Sequence, residues 1–267
     1  MHGSDKTSNP SIPPGASSTL LIQVERVSKA FNQIEAVSDV SFCVHRGSIF
    51  GLVGSDGAGK STLLRMIATM IRPSKGRILV DGVDVVAKRE NIKGLIGYMP
   101  QRFGLYPDLT VDENLDFFMD IFGIFGAERE RRREQYLGFS NLLPFKDRLA
   151  RELSGGMKQK LGLACVLVHQ PRVLILDEPT NGVDPVSRQE FWDILTEMKG
   201  RGMTILISTA YLDEGERCDR LILLHSSRVM EEAAPIEIQS HFSSLEEAMI
   251  HRIQEMERDL PHEQHKP

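Results

Sequence analysis

An α/β fold is what this 267-residue sequence predicts, on three observations. The run Ile49 to Val53 has the aliphatic, β-branched content of a buried strand and passes straight into a glycine-rich turn. That turn opens a pattern in which Leu63, Leu64, Met66, Ile67, Met70 and Ile71 recur at helical spacing and stop before Pro73. Downstream, a second buried-strand run from Val173 to Leu176 ends in two adjacent acids, Asp177 and Glu178, at the strand end where parallel α/β sheets bind ligands. With 41% hydrophobic residues the chain can bury a substantial core, so one large domain with subdomains is expected.

Met1 to Thr19 is rich in Ser, Pro, Gly and Asn and nearly lacks bulky apolar side chains, so residues 1–19 are expected to form a loose tail. The main domain is expected over 20–237. Leu20 to Val24, Glu35 to Val44, Ile49 to Val53 and Ile78 to Val80 read as strands around the glycine turn. Phe31, in the intervening loop Lys29-Ala30-Phe31-Asn32, is either an ordinary core aromatic or a ring free to stack on a purine base. Ile96 to Gln101 is a strand end running into a loop, where Pro100 restricts the preceding backbone and Gln101 is left to reach a ligand.

Thr110 followed three positions later by Glu113 is a capping box, opening a helical region to about Gly138, with a second helical piece over Phe139 to Leu149. A strong helix over Lys158 to Leu167 follows, giving a helical subdomain at about residues 105–165 whose first part, Leu105 to Leu149, is expected to offer a partner surface. Leu221 to Leu224 reads as a strand with His225 in the next turn, and Val229 to Ala234 as another short element. Residues 238–267 are expected to hold a charged helix from about Ser244 to Arg258 and a fraying end, Pro261 to Pro267.

The turn itself is Gly54-Ser55-Asp56-Gly57-Ala58-Gly59-Lys60-Ser61-Thr62. Its glycines let the backbone turn tightly with N–H groups facing inward, where they and the positive end of the next helix hold phosphate oxygens. Lys60 adds a full positive charge beside the phosphates and Ser61 a hydroxyl for magnesium, so every fixed position of the Walker A pattern of nucleotide triphosphatases is met. Taken alone, such a turn can also serve packing only. Ser154-Gly155-Gly156, ahead of the Lys158 to Leu167 helix, is either a second anion site or simply a helix cap. Of the two acids, Asp177 suits magnesium and Glu178 the orientation or deprotonation of an attacking water, set against a plain strand followed by a polar turn.

Charge argues against a nucleic-acid surface as the main business, because 32 Lys and Arg face 37 Asp and Glu. The basic cluster Arg129 to Arg133 is interleaved with Glu128, Glu130 and Glu134 and reads as a solvated helix face. Cys43, Cys165 and Cys218 lack metal-ligand spacing and are expected to be reduced and structural, in a cytosolic setting. No apolar run approaches the ~18 residues of a membrane span, so any membrane role implies docking on another chain.

With these residues in hand, the chain resembles the ATP-binding subunits of ATP-binding-cassette (ABC) transporters over roughly Leu20 to Arg228. The resemblance implies a P-loop ATPase core carrying an antiparallel β subdomain and a helical signature subdomain, with ATP and Mg2+ as cofactors. It implies Phe31 as the adenine-stacking aromatic, Gln101 as the Q-loop residue at the metal, Ser154, Gly155 and Gly156 as the signature, and Asp184 as the D-loop acid. It further implies a head-to-tail dimer in which each signature closes over the other cradle, and a separate membrane permease that holds the pair at the cytoplasmic face. Leu153 to Ala164, Asp184 to Arg188, Ser208 to Glu214 and Ser244 to Glu247 look like the ABC-2 drug-efflux exporters. One cradle and no long heptad insert set the chain apart from soluble ABC proteins of DNA repair or translation.

Three departures stand out. Ser55-Asp56 replaces the common Pro-Asn, Met157 replaces Gln after the signature glycines, and Ala210 stands where the family's switch histidine follows Ser208-Thr209. Alanine can neither donate to a γ-phosphate nor orient water, so a slow nucleotide-gated clamp, the regulatory half of a heterodimer, is the alternative expectation.

Overall fold

The computed structural model describes residues 19–259; the expected tail, apart from Thr19, and the expected frayed end lie outside them. In chain order the first half carries β1 (Leu20–Phe31), β2 (Ile34–His45), β3 (Ile49–Gly54), α1 (Lys60–Ile67), β4 (Lys75–Val80), β5 (Val83–Asp84), α2 (Arg89–Lys93), β6 (Ile96–Met99), α3 (Val111–Ile121) and α4 (Gly126–Phe139). The second half carries α5 (Gly155–Leu167), β7 (Val173–Asp177), α6 (Pro185–Gly200), β8 (Thr204–Thr209), α7 (Leu212–Gly215), β9 (Arg220–His225), β10 (Arg228–Ala233), α8 (Pro235–Gln239) and α9 (Leu245–Asp259).

Among the described residues the strands form two sheets. An antiparallel four-stranded sheet runs β2-β1-β4-β5, and a six-stranded sheet runs β10-β9-β3-β8-β7-β6, parallel except for the β9-β10 hairpin. The parallel strands are buried on both sides, which is why they read as continuous apolar runs. Alternation then sorts their side chains: Leu174, Leu176, Ile205 and Ile207 join the core beneath α3, α5 and α6, whereas Val173, Ile175 and Leu206 join the core beneath α1 and the antiparallel sheet. Phe42 and Phe50 stack across that second core with centroids 5.1 Å apart.

Several expected boundaries move. The first strand does not end at Val24: β1 continues to Phe31 through register shifts, placing Phe31 at a strand end rather than in a loop. The helical region opened by Thr110 breaks at Phe122, because Gly123 takes φ 65° and Ile124 N–H bonds back to Met119 O in a C-terminal cap. Phe139 to Leu149 is not a helix; a 3-10 turn at Leu143–Phe145, with Pro144 inside it, takes its place. His225 closes β9 instead of sitting in the turn. A boundary at 237/238 falls inside α8, whose Pro235 start is capped by Glu237 and whose Ile238 packs with Leu245 of α9 against the β9-β10 side of the sheet.

Arg129 to Arg133 is more than a solvated face. Arg129 Nε donates to Asp116 Oδ1 at 2.9 Å, Arg133 pairs with Asp116, and Arg132 reaches Glu128 at 2.5 Å and the Val168 carbonyl. Arg131 alone of these four points mainly to solvent. The cluster therefore ties α4 to α3 and to the end of α5.

Candidate nucleotide site

The glycine turn closes over the C-terminal end of β3. Gly59 sits at φ 102° as the residue before α1, and a Cβ there would lie 2.3 Å from the Ala36 carbonyl oxygen, so both conformation and space require glycine. Lys60, 3% exposed, turns back across the loop and donates to Gly54 O at 2.8 Å and Ser55 O at 3.0 Å. Its third contact is Glu178 Oε1 at 3.0 Å. Around these groups lies a cavity of about 350 Å³ lined by Ala36, Asp56, Gly59, Ser61, Gln101 and Glu178 among others.

The two acids leave β7 in different environments. Asp177 is fully buried and accepts from Ser61 Oγ and Ser208 Oγ, both at 2.8 Å, and from Tyr98 OH at 3.2 Å. Burial, then the Asp177 charge, pushes the Tyr98 phenol up to about 12, which keeps it a donor. Glu178 turns off the strand at φ 48°, a left-handed conformation that a non-glycine residue holds only when its surroundings fix it. Its N–H is fixed by Ser208 Oγ at 3.0 Å and Ser208 O at 3.2 Å. Its Oε2 accepts from Gln101 Nε2 at 2.9 Å and Asn181 Nδ2 at 3.2 Å.

The fold thus brings Lys60, Ser61, Gln101, Asp177 and Glu178 into one constellation. The hydroxyl of Ser61, the carboxylate of Asp177 and the amide of Gln101 are hard oxygen donors, which fits Mg2+ completed by phosphate and water oxygens. Among the described residues no cluster of three or more His, Cys, Asp or Glu could hold a metal unaided.

Other expected residues lie apart. Ser154 caps α5, its Oγ accepting from Met157 N at 3.3 Å. A Cβ on Gly156 would meet Ser187 Cβ at 2.3 Å, so that glycine also serves the close approach of α5 to α6. Ser154, Gly155 and Gly156 do not line the cradle; Gly155 lines a separate groove of about 430 Å³ with Gln101, Phe103, Leu105, Pro107 and Lys158. Asp184 caps α6, and the hydrogen bonds from Ser187 hold its carboxyl below the usual carboxylate range. Phe31 is 46% exposed, with Lys29 Nζ 5.0 Å from its ring, and is outside the cradle lining.

Position 210 follows β8 directly and is exposed. Neither neighbour offers a substitute: Thr209 Oγ1 donates to Glu214 Oε2 at 2.6 Å, and the Tyr211 ring lies 4.8 Å beneath the Arg188 guanidinium. Tyr98, Ser208 and Asn181 are supports that sequence reasoning left without a role. The signal for Ser208 was available, a hydroxyl pair closing the buried run Thr204 to Thr209.

Residues 37–181 match the ABC transporter family. The probable multidrug ABC transporter ATP-binding protein YbhF of Escherichia coli is 48% identical over 200 residues, 75% of this chain. The chain spans only 35% of that relative's length. The Nod factor export ATP-binding protein I of Ralstonia nicotianae is 38% identical over 229 residues, covering 85% of this chain and 71% of the relative. Among solved structures, an ATP-binding subunit of an ABC transporter superposes with TM-score 0.77 at 32% identity, over 87% of this chain and 99% of the other. The cbiO1 protein of Clostridium perfringens, part of the transporter complex cbiONQ, gives TM-score 0.77 at 28% identity, over 91% and 97% of the two chains.

Proposed function

The chain belongs to the ABC transporter family as a P-loop ATPase cassette, and we propose that it is the ATP-binding subunit of an exporter whose substrate crosses a separate membrane permease. The observation that carries this is the meeting of Lys60, Ser61, Gln101, Asp177 and Glu178 at the C-terminal end of β3 and β7. In the proposed cycle Lys60 exchanges Glu178 for β- and γ-phosphate oxygens of ATP, while the loop amides and the start of α1 hold the rest of the phosphate charge. Ser61, Asp177 and Gln101 would hold Mg2+, which when bound would supply charge neutralisation at the phosphates. Glu178, released from Lys60 but still held by Asn181 and Gln101, orients the attacking water and takes its proton. Phe31 stacks on the adenine.

In this reading two cassettes close head to tail, each supplying Ser154 to Gly156 to the other's γ-phosphate. The Phe103, Leu105 and Pro107 side of the groove beside Gln101 then receives the permease, holding the cassette at the cytoplasmic face of the membrane. Among the described residues no helix is long and apolar enough to cross a membrane, and the export named for the Ralstonia nicotianae relative supports the direction of transport. Lys60→Ala is the direct test. Calorimetry with MgATP should show binding to the native chain and its loss in the variant, since no other side-chain cation lines the cradle among the described residues; unchanged affinity would remove Lys60 from this role.

A second reading has one observation in its favour. Ala210 presents a methyl group, and the hydroxyl of Thr209 is turned to Glu214. A clamp that closes on ATP and turns over slowly, paired with a different cassette, would show high ATP affinity beside a low steady-state ATPase rate.

A further inference from the structure

Glu214 is 1% exposed on the short helix α7, and its carboxylate is shared between two threonines that are themselves 1% exposed. Thr180 Oγ1 donates to Oε1 at 2.6 Å and Thr209 Oγ1 to Oε2 at 2.6 Å. The nearest cation is Arg188, whose Nε stands 4.0 Å from Oε1 and whose guanidinium also pairs with Asp213 and covers Tyr211. Burying a carboxylate is costly and is tolerated here because short charge-assisted hydrogen bonds satisfy both oxygens.

The two threonines belong to the segments that carry the site. Thr180 lies between Glu178 and Asn181, and Asn181 holds the Glu178 carboxylate. Thr209 lies between Ser208, which fixes the Glu178 N–H and Asp177, and position 210. We infer that Glu214 is a positioning residue of the ATPase site, its buried carboxylate locking the loop after Glu178 to the end of β8 so that Glu178 and position 210 keep a fixed relation. The consequence for catalysis rests on Glu178 as the group that acts on the attacking water.

A carboxylate is required because it alone accepts from both hydroxyls at once. Glutamine keeps the size but presents one amide nitrogen, so one threonine must reverse its hydroxyl. Thr209 Oγ1 already accepts from Tyr211 N at 2.9 Å, so if it also accepted from the amide nitrogen its own proton would lose its acceptor. Glu214→Gln therefore breaks the bridge without opening a cavity.

The test compares native protein with Glu214→Gln, Thr180→Val, Thr209→Val and Glu178→Gln, reading kcat and KM for MgATP and amide hydrogen exchange across residues 178–184 and 208–211. Glu214→Gln should lower kcat about tenfold or more, because a displacement on the order of 1 Å at a reacting group costs that much, with KM within about twofold. Exchange should rise in both segments together, and the two valine variants should reproduce the effect without adding to Glu214→Gln. A Glu214→Gln protein that melts earlier yet keeps native kcat and native exchange in both segments would overturn the inference. If Glu178→Gln retains native turnover, it is the role of Glu178 that fails, and joint loosening of the two segments then decides whether Glu214 locks them.

Discussion

Glu178 is the residue on which the site's chemistry and its backbone meet. A non-glycine residue at φ 48° costs roughly 1 to 3 kcal/mol, and the surroundings that hold it there are Ser208 on the main chain and Lys60, Gln101 and Asn181 on the carboxylate. Position 210 lies at the end of the strand that supplies Ser208. A histidine there would add a hydrogen bond that strengthens as charge develops on the transferred phosphoryl group, and removing one such donor typically costs ~100-fold or more in rate. With alanine, the isolated protein is expected to hydrolyse ATP slowly. Ala210→His should raise kcat with little change in ATP affinity, since the contact matters in the transition state rather than in the bound ground state. Steady-state ATPase assays beside calorimetry check this, and a native rate that the variant does not improve would mean that another group supplies the donor. The gap at 210 was legible as a departure from the family pattern. That Thr209 is committed to Glu214 and Tyr211 to Arg188 was not, because both partners come from segments whose approach only the folded chain defines.

At the scale of elements, the parallel strands were legible because both-sided burial writes itself as continuous apolar runs, and α3 because Thr110 and Glu113 form the reciprocal cap their spacing predicts. The segment over Phe139 to Leu149 was not, since its apolar residues join the core from a 3-10 turn instead of following one helical face; Leu142 and Phe145 are examples. A related device is Asn114, fully buried on α3. Its Oδ1 accepts from Tyr106 N at 2.8 Å, and its Nδ2 donates to Tyr106 O at 3.0 Å, Leu109 O at 3.2 Å and Thr110 O at 2.8 Å. One side chain thereby satisfies the backbone of the loop that runs from Gln101 toward the helical subdomain. Asn114→Ala takes away the acceptor of the Tyr106 N–H and one of the two bonds at each carbonyl, which the Leu109, Ala150 and Asn114 N–H groups still serve, and should destabilise the protein by about 1 to 3 kcal/mol. Chemical denaturation measures the loss, and faster amide exchange at Tyr106 would locate it in that loop. A stability equal to native would mean that water replaces the amide fully.

For the whole molecule, what bears most on the proposed function is that the groups assigned to phosphate lie in two separate places. The cradle is complete around Lys60, while Ser154 and Gly155 stand exposed at the positive end of α5, outside the cradle lining, and Gly155 lines a different groove. A helix of 13 residues with its capped N-terminus in the open can act on a γ-phosphate only if a second molecule brings it there. Glu178 sharpens the test of that arrangement, because its carboxylate pairs with Lys60 and would compete with phosphate for it. Glu178→Gln removes the competing charge along with the base, so ATP should bind at least as tightly as to the native protein while hydrolysis falls. The closed pair should then accumulate, and size exclusion with light scattering in ATP and Mg2+ should give twice the monomer mass, reverting without nucleotide. Adding Ser154→Arg places a long cation at the helix end that the proposed dimer brings to the partner's cradle, where it would crowd the closing surfaces and displace the capping hydroxyl. That double variant should still bind ATP, since Ser154 does not touch its own cradle, yet remain monomeric. A Glu178→Gln protein that binds ATP tightly but never dimerises, or a double variant that dimerises as readily as the single one, would rule out the helix end of α5 as the second half of the site.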